Sequence, residues 1–288
     1  MRAQISVVIP TYNRVGLLER ALASIARQSF PALEVLIVDD GSDDETQEMV
    51  GARFPAFEVL SQPNRGVSSA RNRGIRAARH EWIALLDSDD EWAPDKLEAQ
   101  IAALDAEPGR RLVHCDETWV RHGIRVNPRL RHRKTGGWIF RQCLPLCVIS
   151  PSSAMLHRSV FEDVGLFDES LPACEDYDFW LRFTARNPVL FVDRPLVVKH
   201  GGHADQLSQR VKALDRYRIR ALAKLLEEVP LNAGDRAAAV GTLLEKISIY
   251  KAGVARRGRS EEVERLEQLA ARWEMEAAQG ERAAVSGP

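Results

Sequence analysis

The chain has 288 residues and carries 40 Lys and Arg against 41 Asp and Glu, a formal net charge of -1. So even a balance excludes recognition of nucleic acid or an acidic partner through a global field, and any electrostatic function must be local. The length suits one large domain with an appendage or two modest domains. In chain order, "ISVVIP" is followed by a helical pattern over 15–28, "EVLIVDD" by one over 43–53, "FEVLSQ" by one over 67–79 and "WIALLD" by one over 94–106. This rhythm predicts βαβ units and a parallel sheet covered on both faces. Ser42 with Glu45 reads as a capping box, and Pro94 suits a first helical turn.

From about residue 110 the pattern becomes α+β, with short strands at "LVHCDE" and "SAMLH" and the basic loop "RLRHRKTGG" between them. A helix from Arg158 to Val164 is expected to end at Gly165 and another to run from Glu175 to Arg186, with "VLFVD" and "LVVKH" as two further strands. Three helices are expected over 206–229, 233–255 and 260–277. Leu207, Val211, Leu214, Ala221, Leu222 and Leu225 form one apolar stripe on the first. That stripe suits packing against the rest of the chain or a subunit better than a membrane surface, although Arg210, Lys212, Arg216, Arg218, Arg220 and Lys224 around it also fit the latter. Residues 278–288 read as a disordered tail. Apolar runs fall far short of the roughly 20 residues a membrane-spanning helix needs. Cys115, Cys143, Cys147 and Cys174 form no C-x-x-C pair and follow no secretion signal, which predicts reduced thiols and a cytoplasmic protein.

Two predicted strands end in acids, "VLIVDDGSDD" at Asp39 and Asp40, and "ALLDSDD" at Asp87, Asp89 and Asp90. Ligands of open parallel sheets bind beyond the carboxyl ends of the strands. One Asp after a strand is as well explained by a turn or a helix cap, and Asp43, Asp44 and Asp90 are read that way. Two clusters on one edge are different, because carboxylates this close raise one another's pKa values and a divalent cation relieves the repulsion. Asp87 and Asp89 offer hard oxygens to Mg²⁺ or Mn²⁺, an ion that would take further oxygens from a substrate diphosphate. The turn "IPTYNRVG" lacks the G-x-G of dinucleotide-binding proteins, and no G-x-x-x-x-G-K-[ST] loop is present.

The successive segments "VVIPTYNR", "VLIVDDGSDDET", "NRGVSSARNRGI", "LLDSDDEW" and "GLFDESLPACEDYDFWLR" resemble the motifs of family-2 glycosyltransferases of the GT-A fold, in order and spacing, over approximately residues 4–200. The resemblance implies an α/β fold with a Rossmann-like, mostly parallel central sheet flanked by helices. A catalytic domain would span 1–205, with a nucleotide-binding half over 1–110 and an acceptor half over 111–205, and the helical C-terminal region would span 206–277. It further implies inverting transfer of a sugar from a nucleoside-diphosphate sugar, usually a UDP-sugar, to a hydroxyl of a glycan or lipid-linked acceptor. At matching positions Pro10, Thr11, Tyr12, Asn13, Asp39, Asp40, Arg71, Asp87 and Ser88 would bind the nucleotide. Thr11 and Tyr12 would flank the base, Asp39 would accept from uracil N3–H, and Arg71 would reach the uracil or the phosphates. Asp89 would be the principal metal ligand, with Asp87 in the ribose or metal shell, and Asp176 would be the general base. A sugar-nucleotide pyrophosphorylase, which expects a glycine- and arginine-rich loop after the first strand, and a non-catalytic nucleotide-sugar-binding module are the rival readings.

On a helical wheel for "CEDYDFWLRFTAR", Tyr177, Phe179, Trp180, Leu181, Phe183 and Thr184 cover one arc, and Glu175, Asp178 and Arg182 the other. Asp176 falls inside the apolar arc, as either an N-cap or a chemical group. His200 and His203 stand in a glycine-containing loop, where His200 either joins the metal or diphosphate site or is a loop residue. Trp138 is either a sugar-stacking ring on the acceptor side, with Glu175, or a core residue. The loop bearing Arg129, Arg131, His132, Arg133 and Lys134 reads as solvated rather than as an anion-steering device.

Overall fold

A computed structural model of the chain describes residues 3–127, 132–202 and 211–285, with side chains to 278. The predicted alternation is present: strands β1 (Ile5–Thr11), β2 (Glu34–Asp39), β3 (Glu58–Ser61) and β4 (Trp82–Leu85) alternate with helices α1 (Val15–Ala26), α2 (Thr46–Arg53) and α3 (Val67–Ala77). These four strands are parallel in the order β3-β2-β1-β4. All residues of β1 and β2 are buried, as apolar runs sandwiched between two helical layers require. Strand order reverses between β1 and β4, so a crevice opens beyond their carboxyl ends.

The remainder of the sheet is mixed. After β5 (Glu91–Trp92) and α4 (Lys96–Ala106) come β6 (Leu112–Arg121), β7 (Ile124–Val126), α5 (Phe140–Cys143), a 3₁₀ turn at Pro151–Ser153, β8 (Met155–His157), α6 (Ser159–Asp163), α7 (Glu175–Thr184) and β9 (Leu190–Gly201). The sheet continues from β4 through antiparallel β8 to β6, β9 and β5, with β7 on β6. The two expected strands "VLFVD" and "LVVKH" are one, β9, which stays paired with β6 through register shifts opposite Cys115, Asp116 and Glu117. A bulge absorbs the interruption at Pro195 that the pattern presented as a break. Gly165, at φ +82°, follows α6 as expected.

Helix starts differ from the motif reading. The Ser42–Glu45 capping box is absent: α2 begins at Thr46, whose N–H donates to Asp44 Oδ1 at 3.1 Å, and Ser42 serves the end of β1 instead. Pro94 lies just ahead of α4 rather than in its first turn. Tight packing holds α3 on the sheet, because a Cβ at Gly74 would lie 2.4 Å from the Val8 Cγ1 methyl, a contact only glycine avoids.

The C-terminal helices are α8 (Asp215–Glu228), α9 (Ala233–Ala255) and α10 (Ser260–Val285). The first begins later than expected, and Leu207 and Arg210 lie outside the described residues. The third runs on to Val285, past the expected boundary at 277. Ala221, Leu222 and Leu225 of α8 are buried in one continuous core with Phe167, Tyr177, Trp180, Leu243 and Trp273. The Ala221–Leu225 part of the apolar stripe is therefore consumed by packing, each fully buried Leu contributing about 1.5–3 kcal/mol. Among the described residues no helix is long and apolar enough to cross a membrane.

Candidate active site

Strand ends bring the predicted residues to one edge. Beyond β1, Asn13 takes the left-handed conformation (φ +50°), tolerated by its short polar side chain. Its N–H donates to Ser42 Oγ at 2.9 Å and its Oδ1 accepts from Asp43 N at 2.9 Å, tying this turn to the end of β2. Pro10 and Thr11 are buried in β1, with Thr11 Oγ1 lacking a partner among the described residues, and Tyr12 is 41% exposed. Asp39 accepts from Ser42 N (3.0 Å) and Gln47 Nε2 (2.9 Å). Asp40 is a loop anchor: its carboxylate accepts from Arg65 N (2.9 Å), Gly66 N (2.8 Å) and Gln62 Nε2 (2.7 Å). Gly66, at φ +88°, opens α3, so Asp40 sets the start of the helix that carries Arg71.

At the end of β4, carboxylate oxygens of Asp87, Asp89 and Asp90 lie within 4.8 Å of one another. Neighbouring side-chain cations already share this edge. Arg71, itself buried, donates through NH2 to Asp87 Oδ1 at 2.6 Å and through NH1 to Glu175 Oε1 at 2.6 Å. Arg14 NH1 pairs with Asp89 Oδ2 at 3.1 Å. Burial acts to lower the Arg71 pKa, but Asp87 and Glu175 outweigh it and raise it. Burial pulls both carboxyls upward. Asp87 nevertheless ends below the usual range because Arg71, Lys199 and Arg14 all face it, whereas Glu175 stays above because the Asp176 charge works against Arg71. Asp90 is buried and held well above the carboxylate range by desolvation and by Asp89 and Asp87. It accepts from Ser152 Oγ at 2.6 Å and from His200 N at 3.3 Å, which suits its expected part in local structure. Ser88 is buried between these acids in sequence.

Helix α7 buries the apolar arc of the helical wheel, and its polar face as well. Glu175, Asp178 and Arg182, placed by the wheel on an outer face, are all buried. Glu175 meets Arg71, while Arg182 pairs with Asp178 (2.8 Å) and caps the Leu166 carbonyl (2.8 Å). A buried ionic face looks like a solvated one in sequence, because both are polar at helical spacing. Asp176 is half-buried and is not the N-cap, which is Cys174 in a left-handed conformation (φ +62°). Such backbone costs about 1–3 kcal/mol and concentrates at functional sites. The Asp176 carboxylate accepts from the Cys147 thiol at 3.2 Å through Oδ2 and from Tyr177 N at 2.7 Å through Oδ1.

A family model described as glycosyl transferase family 2 matches residues 6–165, which contain β1 from its second residue, β2 to β4 and the acids that follow β2 and β4. The chain belongs to this family. An uncharacterized glycosyltransferase of Rickettsia prowazekii is 30% identical over 207 residues, covering 70% of this chain and 65% of the relative. Chondroitin synthase of Escherichia coli is 29% identical over 193 residues, 66% of this chain and 28% of the synthase. The chain thus spans less than two thirds of either relative. Among solved structures, S. aureus TarS 1–349 in complex with UDP-GlcNAc superposes with a TM-score of 0.64 at 18% identity, covering 92% of this chain and 90% of that one. The mannosyltransferase PcManGT from Pyrobaculum calidifontis, in complex with GDP-Man and Mn²⁺, gives 0.62 at 20% identity, covering 97% and 84%. The expected α/β GT-A architecture is thereby shown.

Within this family-2 chain, other predicted residues fall outside the cluster. His200 directs Nε2 to Glu91 Oε1 at 2.8 Å, and the three-carboxylate group does not include it. His203, Arg129 and Arg131 lie outside the described residues. Trp138 is 71% exposed, which rules out the core alternative. Lys134, expected in solvent, is buried against Glu117 at 2.7 Å, because Glu117 on β6 would otherwise be a buried unpaired charge. Three residues escaped the sequence reading. Arg14 follows "PTYN" directly and Lys199 precedes His200, so both stood next to recognised motifs; Ser152, which receives Asp87 N at 3.1 Å, carried no signal.

Proposed function

We propose that this chain is a metal-dependent, inverting glycosyltransferase that moves a sugar from a nucleoside-diphosphate sugar, a UDP-sugar in the first instance, to a hydroxyl of a glycan or lipid-linked acceptor. It would work in the cytoplasm or peripherally at the inner face of the membrane. The observation that carries the reading is the Asp87–Arg71–Glu175 bridge, buried at Arg71 and Glu175 and half-buried at Asp87. It ties the acid edge of the sheet to the first turn of α7, so that the acids and Asp176 share one rigid frame.

The donor set fits a hard divalent cation, since clustered carboxylate oxygens suit Mg²⁺ or Mn²⁺ and the group holds no sulfur or imidazole among the described residues. Asp89 and Asp87 would hold it, and Asp90, buried and already accepting from Ser152 Oγ and His200 N, is the weaker donor. When bound, the ion supplies charge stabilisation to the departing diphosphate. Arg14 holds Asp89 Oδ2, so a cation there would share the carboxylate with Arg14 or displace it. The buried hydroxyls of Thr11 and Ser68, unpartnered among the described residues, stand at the same edge and suit the nucleoside. Asp176 takes the proton of the acceptor hydroxyl as its oxygen attacks the anomeric carbon, and the nucleoside diphosphate leaves from the opposite face. One displacement of this kind inverts the configuration. The pyrophosphorylase alternative lacks its phosphate loop at "PTYNRVG" and finds no support in the relatives.

Titration calorimetry on the full chain should show UDP binding that strengthens with Mn²⁺, with the gain lost in Asp89→Asn. Equal affinity with Mn²⁺ and with EDTA would remove the metal from the reading.

A further inference from the structure

Among the described cations at the acid edge, Arg71 pairs with Asp87 and Glu175, Arg14 with Asp89, and Arg20 with Glu91 while donating to the Asp89 carbonyl. Lys199 is different. Among the described residues it has no carboxylate at ion-pair distance, although it lies in the field of Glu117, Asp90, Asp87 and Asp89. Strand register fixes its position. Glu91 pairs with Val198 across the antiparallel β5–β9 ladder, and His200 N–H donates to Asp90 Oδ1, so Lys199 stands beside Asp90. Across the parallel β6–β9 pair Lys199 registers with Trp119 and shares a sheet face with Glu117, two residues before.

Nearby acids have other donors. Glu117 forms an ion pair with Lys134 Nζ at 2.7 Å and accepts from Ser150 Oγ and Trp119 Nε1, both at 2.7 Å, and Asp90 accepts from Ser152 and His200. Burial acts to lower the Lys199 pKa, but the four acids outweigh it, so the ammonium keeps its charge and its three donors. A half-buried, charged ammonium on a rigid strand, attracted to the acids but bonded to none, is arranged to receive an anion.

We propose that Lys199 is a donor-diphosphate ligand. Its ammonium donates to a phosphate oxygen of the nucleotide sugar and adds a metal-independent component to donor binding. This rests on the glycosyltransferase reading and assigns a residue to its diphosphate.

Calorimetry with UDP, in Mn²⁺ and in EDTA, compares wild-type full chain with Lys199→Met and Lys199→Arg. Lys199→Met should weaken UDP binding about tenfold or more in both conditions, the loss of one charge-assisted hydrogen bond. Lys199→Arg should stay within a few-fold of wild type. Unchanged UDP affinity in Lys199→Met overturns the proposal, as does tighter binding of Mn²⁺ alone with UDP affinity unaltered, which would make Lys199 a counter-charge only. Should Lys199→Met not fold, reductive methylation of wild-type protein in EDTA replaces it: UDP should protect Lys199, read by mass spectrometry, and equal labelling overturns the assignment. Wild-type UDP binding indifferent to Asp89→Asn would contradict the metal reading while leaving the Lys199 comparison decisive.

Discussion

Asp176→Asn is expected to bind UDP within a few-fold of wild type while losing about 10²–10⁴-fold in transfer rate, the usual worth of a positioned general base. The substitution preserves size and removes the proton acceptor. Asp176 is poised for this task by contacts that orient its carboxylate. Oδ1 is held by Tyr177 N and Oδ2 by the Cys147 thiol. That thiol remains protonated, because burial and the Asp176 charge push its pKa well above the ordinary thiol value. It therefore does not compete for the proton, and its one hydrogen is shared between Asp176 Oδ2 and the Ile149 carbonyl, each at 3.2 Å. Initial rates of nucleotide release in the presence of acceptor, alongside calorimetry with UDP, separate the two effects. Turnover retained in Asp176→Asn would remove it as the base.

Arg71→Met should be the most destabilising single change at the site, by about 3–5 kcal/mol, because it leaves Asp87 and Glu175 facing each other without their shared partner. Arg71 also lies 5.3 Å over the Phe167 ring, so packing against the α7 core is lost as well. Arg71→Lys should recover only part of this, since an ammonium cannot span two carboxylates as the guanidinium fork does. Urea unfolding of the three proteins measures it. A loss below about 1 kcal/mol in Arg71→Met would mean that the bridge does not hold α7 to the sheet, and would sever Asp176 from the acid edge in this account.

Much of this was legible in sequence for a physical reason. Strands buried on both faces must be continuous apolar runs, so "VVIP", "VLIV" and "WIALL" announced themselves, and acids directly after such runs can only lie at the carboxyl edge. The short strands β5 and β7 were invisible because two or three residues carry no period. Helix α7 misled for a different reason. Amphipathic analysis assumes that charge faces water, and the ion pairs of Glu175 and Arg182 satisfy that charge inside. The charge balance of the edge was likewise out of reach, because Arg14, Arg71 and Lys199 come from three distant segments that only the sheet assembles. The acids are therefore not waiting for their first cation. Arg14 is already paired with Asp89.

The central claim, a single displacement at the anomeric carbon with Asp176 opposite the diphosphate, is tested most directly by the stereochemistry of the first product. The full chain, incubated with Mn²⁺ and UDP-GlcNAc or GDP-mannose, can be followed by proton NMR as transfer or donor hydrolysis begins. The anomeric proton of the newly formed product should report a configuration opposite to that of the donor. Retention of the donor's configuration would contradict the account.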